Sequence, residues 1–476
     1  MFLRLRPRVV ATIGVVVALS GLSSALDVPA VAPQPAGCHP SGPSLRYVVL
    51  FAASEPGPET TGAIRAACGT STAYYPEIGV AVATSAEPGF ADRLGLDRAY
   101  SAQAEASAAA GSAGPAVQHT PARLPEPRRG GAADRSVEQW NMALIRGPQA
   151  RAINPGSPDV VVGVLDSGID VTHPDLAAAI DTTRSAGCLS GRPDPRSDAW
   201  RPTTSSHGTH VAGIIAAADD SRGVTGVAPG VRLASVKVVD DNGFIYPEYV
   251  VCAFMWAVKA QLRIANSSYF VDPWLLACSD IPGQAVAYEA VRRAVEYATT
   301  QGVLSVAAMG NARIDLADPR RRSRDNAPAP PRQLRNDACD VLPAELPGVV
   351  AVSAVGANRR ISTYSSFGLG VVAVTAPGGD IDQRPWTSSS GCVLSTIQGG
   401  YGYACGTSMA AAHASGVAAL LASSRPSAGP AELATLLRRQ ADPLPCSAHP
   451  GCTGERVTSF SGYGLVDALD AVTQEP

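Results

Sequence analysis

Val160-Val161-Val162-Gly163-Val164-Leu165-Asp166-Ser167-Gly168 is an unbroken apolar run of strand length that ends in an aspartate. A strand with one wet face alternates apolar and polar residues. A run that is apolar at every position reads as buried on both faces, the condition of a parallel strand inside an α/β sheet. The same theme recurs along the chain. Strands are expected at 160–165, 232–239, 262–267, 303–308, 349–355 and 371–376, and helices at 210–218, 248–259, 285–300, 407–423 and 430–440. Strands alternating with helices imply an α/β fold, a mostly parallel central sheet with helices on both faces. In such sheets the site forms at the carboxyl ends of the strands, where Asp166 and Asn266 fall.

Two further stretches carry chemistry. Gly406-Thr407-Ser408-Met409-Ala410 opens a run of small residues that continues from Ala411 to Leu421. A serine there could simply cap the helix. It could also be a nucleophile, set beside the free N–H groups and the positive end of the helix dipole. His207-Gly208-Thr209-His210-Val211-Ala212-Gly213 places a histidine at the head of a small, apolar segment. A serine hydroxyl needs a base within hydrogen-bond reach, and an imidazole titrates near neutrality. A carboxylate on the other ring nitrogen would orient that base.

Asp166, His207 and Ser408, in that order and in these contexts, resemble the subtilisin-like serine protease family, the subtilases. The likeness runs from Gln139 to Ala471 and implies peptide-bond hydrolysis through an acyl-enzyme. In the family's His-Gly-Thr-His pattern the first histidine is catalytic, which favours His207 over His210. Ser305-Val-Ala-Ala-Met-Gly310-Asn311 matches the segment whose asparagine donates to the oxyanion; the Ser408 N–H would be the second donor. The resemblance also makes Asn266, Ser268, Tyr269 and Phe270 substrate-binding, through a strand added to the peptide. Phe270 stands where the family usually has glycine, so the pocket rim departs from the pattern. Val341-Leu342-Pro343-Ala344 aligns with the opposite side of that pocket. Asp175 and Asp220, the latter in Ala218-Asp219-Asp220-Ser221-Arg222-Gly223-Val224, correspond to a calcium loop. A helix-terminating turn with solvated acids is the other reading of that loop. No organic cofactor is expected.

The rest of the chain bears on compartment and control. Arg4, Arg6 and Arg8 precede an apolar run from Val9 to Leu22 and the small residues Ser23-Ser24-Ala25, the pattern of a signal peptide over residues 1–25. A membrane anchor would want a longer run. Ten cysteines, with no CxxC pair, fit disulfides in a secreted, extracellular protein. Connectivity stays open, with short separations favoured: Cys446 with Cys452, Cys392 with Cys405, Cys38 with Cys68. Residues 44–104, with a strand at 45–51, an alanine-rich segment near Ile64 and a strand at 78–83, resemble the family's small α+β inhibitory propeptide. Residues 105–134 read as a flexible linker, and 135–476 as the catalytic domain. The polar stretch from Arg313 to Asp340 reads as a surface insertion. A formal net charge of −3 gives no reason to invoke nucleic acid. The partners expected are polypeptide substrates and the chain's own propeptide.

Two other classes compete. A catalytically weak or inactive relative acting as a peptide-binding module would lack one of Asp166, His207, Ser408 or Asn311, and all four are present. An α/β-hydrolase esterase would run serine, acid, histidine and carry a G-x-S-x-G elbow. Here the order is reversed and the elbow absent.

Overall fold

The computed structural model describes residues 37–110, 133–318, 320, 322–323, 332–333, 338–446 and 451–473. The signal-peptide reading, residues 1–25, lies outside the described residues. The chain opens with a separate antiparallel sheet built from β1 (Leu45–Leu50), β2 (Thr70–Tyr75), β3 (Val80–Ser85) and β4 (Ala99–Tyr100), in the order β2-β3-β1-β4. Helices α1 (Gly57–Ala66) and α2 (Phe90–Leu94) belong to it. Strand alternation sorts β1: Tyr47 and Val49 join Ile64 and Phe90 in the unit's own core. Val48, on the other face, packs into the core of the rest of the molecule. The sequence reading anticipated β1, α1 and β3 but not β2. TSTAYY is polar or half-buried throughout, so it shows no apolar run.

One expectation needs correcting. The linker was expected from residue 105, yet α3 (Ala102–Ala110) continues the unit. Ala102 and Ala106 are buried, and Glu105 accepts the indole N–H of Trp274 at 2.7 Å. Alanine has the highest helix propensity, and Ala102 and Ala106 join the same core as Val48. Residues 111–132 lie outside the described residues.

Short helices α4 (Trp140–Leu144) and α5 (Gly147–Ile153) lead into β5 (Val161–Asp166), β6 (Ala186–Gly187), α6 (Ser197–Trp200), α7 (His207–Ala216) and β7 (Arg232–Lys237). Then come α8 (Pro247–Lys259), β8 (Ile264–Ser267), β9 (Ala277–Cys278), α9 (Gln284–Thr300) and β10 (Leu304–Ala308). The expected insertion holds two short strands, β11 (Arg322–Ser323) and β12 (Arg332–Gln333), and ends at β13 (Cys339–Asp340). β14 (Val350–Val355), β15 (Val374–Pro377), the hairpin β16 (Val393–Ile397) and β17 (Gly400–Ala404), and helices α10 (Thr407–Ser424), α11 (Pro430–Arg439) and α12 (Ala468–Thr473) complete the chain.

The central sheet has seven strands in the order β15-β14-β10-β8-β5-β7-β6, every pair parallel. β5 shows why its sequence is apolar throughout. Val161 and Leu165 face the core under α8 and α9, while Val162 and Val164 face the one under α7 and α10. Helix α7 begins at His207, three residues earlier than its apolar pattern suggests, because polar residues form its first turn. The five disulfides are Cys38–Cys68, Cys188–Cys252, Cys278–Cys339, Cys392–Cys405 and Cys446–Cys452. The three short-range pairs match the sequence expectation.

The N-terminal sheet sits on α8 and α9. Arg293 of α9, braced by Glu289 at 2.7 Å, donates to the carbonyls of Phe51 and Ile78 at 2.9 and 3.1 Å. Arg46 reaches Tyr249 at 2.8 Å and lies 3.5 Å from the buried Glu248 carboxylate. Burial pushes the Glu248 carboxyl up to about 7, against the pull of Arg46. Arg293→Ala should weaken this docking by about 1.5–3 kcal/mol, the range for hydrogen bonds that involve a charged group. In hydrogen exchange, β1–β4 amides should lose protection while the central sheet keeps its own. Unchanged protection would show that the apolar face alone holds the unit.

Candidate active site

β5 delivers Asp166 at the carboxyl edge of the sheet, where it is 1% exposed. Its carboxylate takes the Ser167 N–H at 2.7 Å, and both of its oxygens lie against His207 Nδ1, at 2.8 and 2.9 Å. A carboxylate only accepts, so Nδ1 carries the hydrogen and Nε2 is left as the acceptor. Gly208 permits this approach: a Cβ there would come within 2.5 Å of the Gly168 carbonyl and 3.1 Å of Asp166 Oδ1. Burial lowers the His207 pKa, but the Asp166 charge and hydrogen bond outweigh it and leave it above the ordinary 6.5.

His210 lies one turn on and is wholly buried. Its Nε2 faces the carbonyls of Val393 and Gly402 at 3.1 and 3.2 Å, so it ties α7 to the β16–β17 hairpin. Burial drives its pKa down to about 3, which keeps it neutral. The two histidines of one motif thus have opposite environments.

Ser408 occupies the first turn of α10. Its Oγ donates to the Ser268 carbonyl at 3.0 Å rather than to His207. Asn311 stands beside it just past β10. Both the N–H and the hydroxyl of Thr407 bond to its Oδ1, each at 2.9 Å. A backbone N–H can only donate, so this contact fixes the amide orientation and turns Nδ2 away from Thr407. A side chain placed on Gly406 would lie 3.5 Å from Asn311 Nδ2 and 3.7 Å from Ser408 N. Asn311 Nδ2, the backbone nitrogen of Ser408 and Met409 Sδ therefore all border the space over Gly406. Thr407, which orients the asparagine, was not singled out in the sequence.

The residues expected along the substrate strand divide. Phe270 is half-buried, whereas Ser268 and Tyr269 are buried, and Tyr269 packs its hydroxyl 3.3 Å from Ser267 Oγ. Asn266 has no exposed surface: its amide bonds to Ser268 Oγ and Ser415 Oγ, each at 2.9 Å. The Asn266 side chain therefore offers no surface for a direct contact with a bound peptide. Across from them, the Leu342 carbonyl accepts the Val271 N–H at 3.2 Å.

At the far end of α7, Asp175 accepts the Tyr401 hydroxyl at 2.8 Å and the Val224 N–H at 3.1 Å. Asp220 is exposed and accepts the Arg222 N–H at 3.0 Å. Burial raises the Asp175 pKa, and the Asp220 charge adds to the rise. Carboxylate oxygens are the donor type a hard cation takes, although both Asp175 oxygens here accept from Tyr401 and Val224. Tyr401, a part of this cluster, gave no sequence signal because the hairpin that brings it there was not foreseen.

The parallel sheet order and the placement of Asp166, His207 and Ser408 at its carboxyl edge define a subtilisin-like α/β protein. Comparison with known proteins agrees. The chain belongs to the Subtilase family, whose model matches residues 157–464. It is 30% identical over 357 residues to fervidolysin from Fervidobacterium pennivorans, covering 72% of this chain and 44% of that one. It is 31% identical over 288 residues to Subtilisin E from Bacillus subtilis, covering 60% and 61%. The chain thus spans less than two thirds of the length of these relatives. Among solved structures it resembles the epidermin leader peptide processing serine protease from Staphylococcus aureus. That likeness has a TM-score of 0.68 and 19% identity, over 92% of this chain and 100% of that one.

The ring nitrogens provide a direct check. By NMR, His207 should titrate above 6.5, while His210 stays neutral down to about 3. In Asp166→Asn the His207 pKa should fall below 6.5, because burial then acts without the opposing charge. A midpoint at or below 6.5 in the parent would mean that the pair is not formed in solution.

Proposed function

We propose that this chain is a serine endopeptidase. Ser408 is the nucleophile, His207 Nε2 the base, and Asp166 the carboxylate that fixes the ring and stabilises the imidazolium. Asn311 Nδ2 and the Ser408 N–H receive the oxyanion. The observation that carries this reading is the pair of oriented side chains, the His207 ring held on Asp166 and the Asn311 amide fixed by Thr407 so that Nδ2 borders the space over Gly406 with the Ser408 backbone nitrogen. To react, the Ser408 hydroxyl leaves the Ser268 carbonyl for His207, an exchange that resting enzymes commonly complete only with substrate bound. Attack forms the acyl-enzyme, the protonated His207 passes its proton to the leaving amine, and water reverses the sequence. Catalysis needs neutral His207, so the rate should fall as pH drops through a midpoint above 6.5.

The same contact supports a second reading, a peptide-binding relative with a parked, unreactive serine. A fluorophosphonate probe separates the two: it should label Ser408 in the parent and do so far more slowly in His207→Ala. A folded parent that stays unlabelled would favour the binding module. Asn311→Ala should lower kcat by roughly 10²–10³-fold, the range known for subtilisin's own loss of such a donor, with little change in KM.

The proposal extends to control and location. The N-terminal unit, residues 37–110, is an inhibitory propeptide, supported by its docking on α8 and α9. The connection to the catalytic domain is cut by the enzyme itself. Ser408→Ala, expressed in a protease-deficient host, should accumulate uncut while the parent shortens to a product starting between 104 and 135. Trimming of the mutant at the parent's rate would assign maturation to another protease. Export is supported by the pattern of residues 1–25 and by five disulfides. Among the described residues, no helix is long and apolar enough to cross a membrane. Asp175 and Asp220 would hold a structural calcium ion together with loop carbonyls. Calcium should then raise Tm by mass action, and Asp220→Ala should remove most of the rise. Equal responses in mutant and parent would count against the site.

A further inference from the structure

Asn266 sits in the middle of the parallel sheet, level with Val164 of β5 and Val306 of β10. An amide at such a position is a poor strand former and costs free energy unless it is fully bonded. Each of its two polar atoms has a hydrogen-bond partner, and those partners lead to Ser408. Ser415 Oγ meets Asn266 Oδ1 at 2.9 Å, and Asn266 Nδ2 meets Ser268 Oγ at 2.9 Å. Ser268 Oγ in turn meets the Ser408 carbonyl at 3.0 Å, and all four residues are buried.

The direction of this chain is forced. The Ser408 carbonyl can only accept, so Ser268 must give it its single hydroxyl hydrogen. The Ser268 oxygen must then receive from Asn266, which requires Nδ2 on that side. Oδ1 is left facing Ser415, which must donate. Reversing any one member leaves two buried acceptors face to face.

Ser408 and Ser415 are seven residues apart on α10, so they share a face, ~10 Å apart along the axis. The chain therefore stitches α10 to β8 at two points, one of them the backbone of Ser408 itself. We propose that Asn266 and Ser268 are positioning residues: through this one-way chain they fix the peptide unit of Ser408, and with it the nucleophile and its oxyanion N–H, against the sheet edge that carries Asp166. This rests on the endopeptidase reading above.

The test compares kcat and KM per active site titrated with fluorophosphonate. Ser268→Ala removes one oxygen and should lower kcat roughly tenfold, the rate equivalent of about one net hydrogen bond, with KM unchanged. Ser268→Thr keeps the hydroxyl and should restore kcat. Asn266→Asp keeps the shape, but its carboxylate accepts the Ser268 hydrogen and takes it from Ser408; it should give a similar fall. The double variant should be no slower than either single one, because both break the same chain. Unchanged kcat in Ser268→Ala, a rise in KM that matches the fall in kcat, or losses that add would each overturn the proposal. Should Asn266→Asp fail to fold, Ser268→Ala and Ser268→Thr decide alone. An inactive parent fails the protease reading; an active parent with an unaffected Ser268→Ala fails only this one.

Discussion

Asp166 carries a charge at the end of a strand that is otherwise closed to water, and the rest of the site follows from how that charge is met. An isolated carboxylate in such a place would be costly. One backbone N–H and the His207 ring meet it, and His207 can approach because position 208 has no side chain. The carboxylate in turn selects the tautomer of His207 and leaves Nε2 as the only ring atom able to accept a proton. The wholly apolar strand, the glycine and the histidine at a helix start are thus parts of one arrangement.

The serine side is organised by hydrogen-bond direction more than by charge. Thr407 turns the Asn311 amide so that its donor end is free, and Ser268 holds the Ser408 carbonyl from below. Each contact pairs a group that can only donate or only accept with a side chain that can do either, which removes the ambiguity of the flexible member. Donors fixed in this way need no reorganisation when negative charge develops, and this is where most electrostatic stabilisation in enzymes arises.

The N-terminal unit meets the rest of the molecule mainly through apolar packing, with a few polar anchors. Val48, Ile78, Val80, Ala102 and Ala106 are continuous with the core under α8 and α9. Arg293 reads two backbone carbonyls, a contact indifferent to side-chain identity but sensitive to the turn geometry that brings Phe51 and Ile78 together. Apolar area supplies adhesion without direction, and the arginine supplies the direction.

Much of this was legible in the chain itself. The apolar runs placed the six longest strands of the central sheet within a few residues, because burial on both faces favours apolar residues and admits a polar one only where a partner meets it. The motifs around Asp166, His207, Asn311 and Ser408 carried their residues to one edge for the same reason. β2 is half-exposed and rich in Thr, Ser and Tyr, and the β16–β17 hairpin is two five-residue strands that mix apolar residues with Ser, Thr, Gly and Tyr, so neither stands out from loop in the sequence. The roles of Tyr401, Thr407 and Ser415 as site partners depend on neighbours between 96 and 226 positions away, which no local pattern shows. The sequence by itself determined the layering, the order of the polar groups and the edge at which they emerge, all consequences of local patterns. Only the tertiary structure decided which atom of each group faces which partner: His207 on Asp166, Asn311 turned by Thr407, and Ser408 resting on Ser268. Hydrogen-bond direction is set by contacts between distant segments, and no local pattern encodes it.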